Sequence, residues 1–212
     1  MIAIPAFIWG ICSSALTVLS LFPYIYKTLK GVNRPHIFTW IIWSLLTAIA
    51  FTVQYSAGAG PGSWATGLTC VCAAVILLIS IRHGEKNITL FDWLCFLLAL
   101  AAIPVWMATK NAALAGVWVT LIDGLAYLPT ARKVWHKPHE EVALPHAVAN
   151  AKHIFSLLGM QTISVATAFY PVCLFVFNLL LIGLILGRRR VLCTRNLDYK
   201  DGVGSIETAK GL

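Results

Sequence analysis

Leu21-Phe22-Pro23-Tyr24-Ile25-Tyr26-Lys27 returns as Tyr127-Leu128-Pro129-Thr130-Ala131-Arg132-Lys133, with the proline and the lysine both shifted by 106 positions. In a hydrophobic chain this echo reads as a duplication. A duplicated membrane bundle has two similar halves that can rock against each other around a site between them.

Composition decides the surroundings. With 59% apolar and 11% charged residues and a mean hydropathy of +0.81, the chain cannot cover itself with polar surface, so the bilayer is its expected solvent. A soluble globular domain is excluded. The first apolar run lacks the basic n-region and small-residue cleavage site of a signal peptide and is expected to stay in the mature protein. Cys12, Cys70, Cys72, Cys95, Cys173 and Cys193 lie in or beside apolar runs. They are expected to pack rather than to form a disulfide framework.

A spanning helix needs roughly 20 mostly apolar residues. Such runs fall at about 4–26, 36–57, 63–81, 90–109, 111–131, 142–162 and 165–187. His146, Asn150, Lys152 and His153 dilute the sixth run, so an interfacial helix competes there with a span. Its repeat counterpart, about 36–57, favours the span. The expected fold is an all-α membrane protein of seven transmembrane helices in a three-one-three plan. Residues 1–87 form the first three-helix repeat, 88–110 a linker helix, 111–187 the second repeat and 188–212 a polar, disordered tail. The linker helix inverts the chain, which makes the repeats parallel.

Basic residues set the orientation. Lys27, Lys30 and Arg34 fall in the first loop, Arg82 and Lys86 in the third, and Arg132, Lys133 and Lys137 in the fifth. Arg188, Arg189, Arg190, Arg195, Lys200 and Lys210 follow the last span, and Lys110 alone falls in an opposite loop. The positive-inside rule then puts the N-terminus outside and the C-terminus in the cytoplasm of an inner (plasma) membrane. The net charge of +8 is accounted for by topology and requires no nucleic-acid partner, with Arg188 to Arg190 available to anionic lipid.

The offset lets one half be compared with the other. Thr120, Asp123, Tyr127 and Thr130 recur at helical spacing and share a face, as do their counterparts Ser14, Thr17, Leu21 and Tyr24. His146, Asn150 and His153 form a second stripe opposite Trp40, Ser44 and Thr47, and Asn178 corresponds to Cys72. Buried polar groups in hydrocarbon need partners or water. Bonds between helices are the expectation for the Ser and Thr residues, and a cavity for Asp, His and Asn. Asp123 is the sharpest residue, because a mid-membrane carboxylate costs roughly 2.5 to 3.5 kcal/mol on insertion scales. Lys152 lies at similar depth, so an ion pair competes with a solute-binding or protonatable aspartate that has His153 as proton partner. By helical geometry Lys152 sits about 120° away from the His146, Asn150 and His153 stripe, off the cavity face. Pro23 and Pro129 interrupt corresponding helices, where a hinge competes with a fixed kink.

Other patterns carry little chemistry. Gly58-Ala59-Gly60-Pro61-Gly62 has no following Lys-Ser/Thr and reads as a turn. His136 and His139 beside Glu140 and Glu141 read as a solvated loop rather than a metal site. No nucleophilic triad or carboxylate pair falls at one depth, so no enzyme, cofactor or metal is expected.

Taken together, these residues resemble the PQ-loop superfamily over about residues 4–187, and the three-one-three plan is similar to SWEET sugar transporters. The resemblance rests on Pro23 with Lys27, Pro129 with Lys133, the basic loops behind them, and the aromatic second helix carrying Trp40 and Trp43. It implies alternating access, Pro23, Pro129 and Pro145 in a cytoplasmic hinge region, and Asn178 among the substrate contacts. Tyr24 and Thr130 stand where the name-giving glutamine belongs, Thr39 stands opposite Pro145, and Cys72 stands in place of a second binding asparagine. The chain is also similar to uncharacterised bacterial inner-membrane proteins that carry Gly60-Pro61-Gly62-Ser63-Trp64 and Gly84-Glu85-Lys86-Asn87-Ile88-Thr89.

The expected function is a carrier for a small polar metabolite such as a sugar, an amino acid or a nucleoside-like compound. Asp123, Asn150, His153 and Asn178 would contact the solute or a proton, with Tyr24 and Tyr127 shaping the cavity. Its partners would be the lipid bilayer, the solute and protons, and nothing bars a homo-oligomer. The rival reading is a non-transporting interaction or receptor-like bundle, since fold alone does not decide.

Overall fold

The computed structural model describes residues 5–32, 35–83, 90–125 and 127–210. The 84–89 stretch of the second resemblance lies outside the described residues. All regular structure among the described residues is helical, as expected. The helices are α1 (Ala6–Leu29), α2 (Ile37–Ser56), α3 (Trp64–His83), α4 (Leu90–Thr109), α5 (Ala112–Leu125), α6 (Tyr127–His136), α7 (Ala143–Leu158) and α8 (Val165–Lys210).

Five segments are long and apolar enough to cross a membrane: Ala6–Leu29, Ile37–Ser56, Gly60–Arg82, Ala112–His136 and Val165–Cys193. They make this a chain built to pass the bilayer several times. Helix α7 covers only 16 residues, about 24 Å at 1.5 Å per residue, because Gly159 ends it before the expected 162. The expected irregular tail is instead helical to Lys210. Extension of an existing helix needs no new nucleus, and no proline follows Pro171 to stop it.

Short polar caps set several starts. His36 Nδ1 accepts from the Thr39 amide at 3.4 Å before α2. Asn111 Oδ1 accepts from the Leu114 amide at 3.1 Å before α5, and Ser164 Oγ accepts from the Thr167 amide at 3.3 Å before α8. The first two satisfy amides left open in the first turn, and the third adds to the bond the Thr167 amide makes to the Ser164 carbonyl at 3.2 Å.

The packing repeats between halves. Helix α3 packs on both α1 and α2, while α8 packs on both α5 and α7. Across the halves α1 meets α7 and α2 meets α5, with α4 laid against α5 and α2. The largest apolar core fills the space where the halves meet, with Leu46, Ile49 and Val53 from α2 against Ala115 and Val119 from α5 and Leu174 from α8. Leucine, isoleucine and phenylalanine side chains cover the outside, including Leu19, Phe22, Leu78, Leu121 and Leu180, as a lipid-facing surface requires.

Candidate functional site

Polar groups are buried beside this apolar core. Asp123 on α5 is 8% exposed, and Tyr170 on α8 donates its phenolic hydrogen to Asp123 Oδ2 at 3.0 Å. Asp123 and Lys152 form no ion pair among the described residues, although their charges interact through the interior. Tyr170 therefore holds the carboxylate directly.

On the other side of Tyr170 lies a cavity of about 20 Å³ walled by Thr47, Thr66, Thr69, Lys152, His153, Ser156 and Tyr170 with Ala65 and Leu174. Its walls come from α2 and α3 in one half and from α7 and α8 in the other. That volume holds roughly one water-sized group. Lys152 lines it beside His153, which corrects the expectation that Lys152 faces elsewhere. A helical wheel places the Cβ, but a lysine stem of four carbons can carry its ammonium round to a polar opening.

The hydroxyls in and near this interior divide by what they spend their hydrogens on. Thr47 Oγ1 donates to the Trp43 carbonyl at 2.6 Å, Thr69 Oγ1 to Ala65 at 2.7 Å, and Thr120 Oγ1 to Gly116 at 2.6 Å. Ser156 Oγ donates to the Gly62 carbonyl across the halves. The Thr residues thus bond back to their own helices rather than to neighbouring helices as expected. Lys152, His153 and Thr66 have no hydrogen-bond partner among the described residues. These are the unspent donors of the cavity.

Towards the basic end a second network continues the polar path. Asn178, 3% exposed, accepts at Oδ1 from Tyr127 at 3.3 Å and lies 3.0 Å from His146 Nδ1. With Oδ1 as acceptor, the His146 proton sits on Nδ1. His146 Nε2 lies 3.7 Å from Glu141 Oε1. Tyr127 also lies within electrostatic reach of Asp123, one helix turn along the same stretch of chain.

Of the residues expected from sequence to line a cavity, His153 does so, whereas Asp123, Tyr127 and Asn178 lie outside its walls and are held by hydrogen bonds, Asp123 to Tyr170 and Tyr127 to Asn178. Asn150 is buried with Oδ1 unpartnered. Tyr24 instead packs against Trp40 with ring centroids 5.3 Å apart and planes tilted by 42°, in a cluster with Ala73 and Ile76 of the first half. Pro23 lies inside a continuous α1. The helix backbone runs through position 129, whose side chain lies outside the described residues. Pro145 sits in the first turn of α7, where a missing amide hydrogen costs nothing. Tyr170, Thr66 and Thr69 were not anticipated. The available signal for Tyr170 was its counterpart at the 106 offset, Trp64, an aromatic in both halves.

The two ends differ. At the end holding the start of α1, the Gln161 amide donates to the Ala59 carbonyl at 3.1 Å. Gln54 Nε2 donates to the Thr167 carbonyl at 3.2 Å, and Trp9 stacks on Phe155 with centroids 5.5 Å apart. Each contact joins the two halves. Gly62 makes the approach possible, since a Cβ there would lie 2.5 Å from Met160 Cγ and 2.7 Å from the Ser156 carbonyl. At the basic end, Arg189 donates to the carbonyls of Pro138 at 3.0 Å and Glu141 at 2.6 Å. Arg188 donates to Trp135 at 3.1 Å and covers its ring. These contacts stay within the second half.

Compared with protein-family models, with curated proteins and with solved structures, the chain matches none.

Proposed function

We propose that this chain is a secondary carrier for a small polar metabolite, working by alternating access in an inner membrane. In this reading α4 and α7 span the bilayer with the other five segments, giving seven spans in a three-one-three plan with the N-terminus outside. It belongs with PQ-loop and SWEET-like carriers. The observation that carries it is the cavity walled by both halves, because a site shared between two packing units changes its exposure when they rock. The repeated pairing of helices across and within the halves supports the same motion.

The seam of Ala59, Gly62, Ser156 and Gln161 is then the closed outer gate, and Pro23 and Pro129 the inner hinges. Asp123, held by Tyr170 and near Tyr127, carries the coupling proton. His153 and Asn178 contact the solute as it passes from the cavity to the inner side. A static bundle would be best served by Asp123 bonded to Lys152, and no such pair forms among the described residues.

The test is uptake into proteoliposomes from a panel of labelled sugars, amino acids, nucleosides and carboxylates. At least one compound should enter faster than into empty vesicles, with entry lost in Asp123→Asn and reduced in Asn178→Ala. Absence of flux for the whole panel, or flux untouched by both substitutions, overturns the reading.

A further inference from the structure

We infer that the solute bears a carboxylate, and that Lys152, with His153 and Thr66 beside it, receives that group. The inference rests on the carrier reading of the same cavity. It begins from the donors left over once every other hydrogen bond is assigned. Thr47, Thr69, Ser156 and Tyr170 spend their hydrogens on carbonyls or on Asp123, so they offer only oxygen lone pairs. The cavity-lining residues whose donors are unspent are Lys152, His153 and Thr66. His153 is 5% exposed and lines the cavity with no partner. Three residues with unspent donors, one of them cationic, line the same small space. That is the complement of an anionic oxygen pair.

A neutral sugar or nucleoside fits this set less well. Its hydroxyls bring no charge to the ammonium, whose counter-charge would remain the more distant Asp123 alone, whereas a carboxylate pairs with it directly. Asp123 supplies the missing counter-charge at a distance, with Tyr170 between the cavity and the carboxylate. The empty site is therefore neutral as a whole. It holds one positive group on α7 and one negative group on α5.

Entry of a carboxylate upsets that balance by one negative charge. A proton taken from the outer solution onto Asp123 Oδ1 restores it, while the Tyr170 hydrogen bond stays on Oδ2. On the inner side the carboxylate leaves first, and Lys152 then favours the charged aspartate, which releases its proton inward. One carboxylate and one proton move together, and no net charge crosses. The other ionisable groups facing this pair are Tyr127 and Tyr170 towards Asp123, and Cys72 and His153 towards Lys152.

The experiment uses the purified full chain with lactate, acetate and benzoate as monocarboxylate probes, with lactamide, glucose and uridine as uncharged ones, at constant ionic strength. A saturating carboxylate should raise Tm by about 2 to 4 °C, and its amide should not. Lys152→Met should abolish the shift and Lys152→Arg retain part of it. The double variant Lys152→Met with Asp123→Asn keeps the interior neutral and folded, and should also show no shift. In proteoliposomes, uptake of the stabilising carboxylate should follow an imposed pH gradient and ignore a potassium-valinomycin potential. A shift that survives Lys152→Met overturns the assignment, as does uptake driven by the potential alone. Stabilisation and flux by glucose or uridine without any by carboxylates overturn the inference and leave the carrier reading standing. No shift and no flux with any probe overturn both.

Discussion

The Tyr170 hydroxyl stands 3.0 Å from Asp123 Oδ2 and joins α8 to α5 inside the second half. A carboxylate in hydrocarbon must be held by donors or neutralised, and the only side-chain donor placed on Asp123 among the described residues is this one. Tyr170→Phe removes it with little change of shape. We expect a loss of about 1 to 2 kcal/mol, above the usual interhelical bond because the acceptor is charged. In an Asp123→Asn background the same substitution should cost less. A double-mutant cycle on reversible unfolding in mixed micelles measures the difference. A coupling of zero would show that the bond contributes nothing.

Asn150 presents the opposite situation. Its Oδ1 is buried without a partner, and an unmet acceptor of this kind costs about 1 to 3 kcal/mol. If the chain is the carrier proposed above, this amide is expected to serve the transport cycle. Asn150→Leu should raise thermal stability by a few degrees while lowering flux. A variant that is destabilised and fully active would place Asn150 with the structural residues instead.

Much of the fold is legible in the sequence, because hydrophobic runs of membrane length are set by one physical requirement, satisfaction of the backbone without water. The five long spans fall near their expected positions on that ground alone. The weak cases are where the apolar signal is diluted. Helix α7 carries Asn150, Lys152 and His153 and stops at Gly159, so its length departs from expectation. Single-residue reasoning found Asp123 because an ionisable group in a span is costly in itself. The same logic marks Lys152, but a helical wheel describes where a long side chain starts and not where it ends, and Lys152 lines the cavity from a position off the polar stripe. Tyr170 escaped notice for another reason. A tyrosine in an apolar helix is unremarkable until the three-dimensional packing sets it against a carboxylate.

Orientation is open to direct labelling. Cys193 is an exposed native thiol at the basic end, and Lys110 lies between α4 and α5 at the opposite end. In a chain stripped of its other cysteines, a membrane-impermeant maleimide should reach Cys193 only in inside-out vesicles. With Cys193 also replaced, Lys110→Cys should react in intact cells. The reverse pattern would turn the topology over and move the glycine-rich seam to the cytoplasmic face.

The seam itself supplies the strictest test of rocking. The Gln161 amide meets the Ala59 carbonyl at 3.1 Å, so these two chain segments touch directly when this end is closed. Cysteines at both positions in an otherwise cysteine-free chain should therefore oxidise to a disulfide, given that bridged residues need Cα atoms within about 7 Å. If the halves separate here once per cycle, flux must fall in proportion to the cross-linked fraction and return on reduction. Ala59→Cys or Gln161→Cys alone should carry flux with or without oxidant, which excludes damage by the reagent. A fully cross-linked protein that still transports would mean that this end does not open, and the outer gate would then have to lie elsewhere.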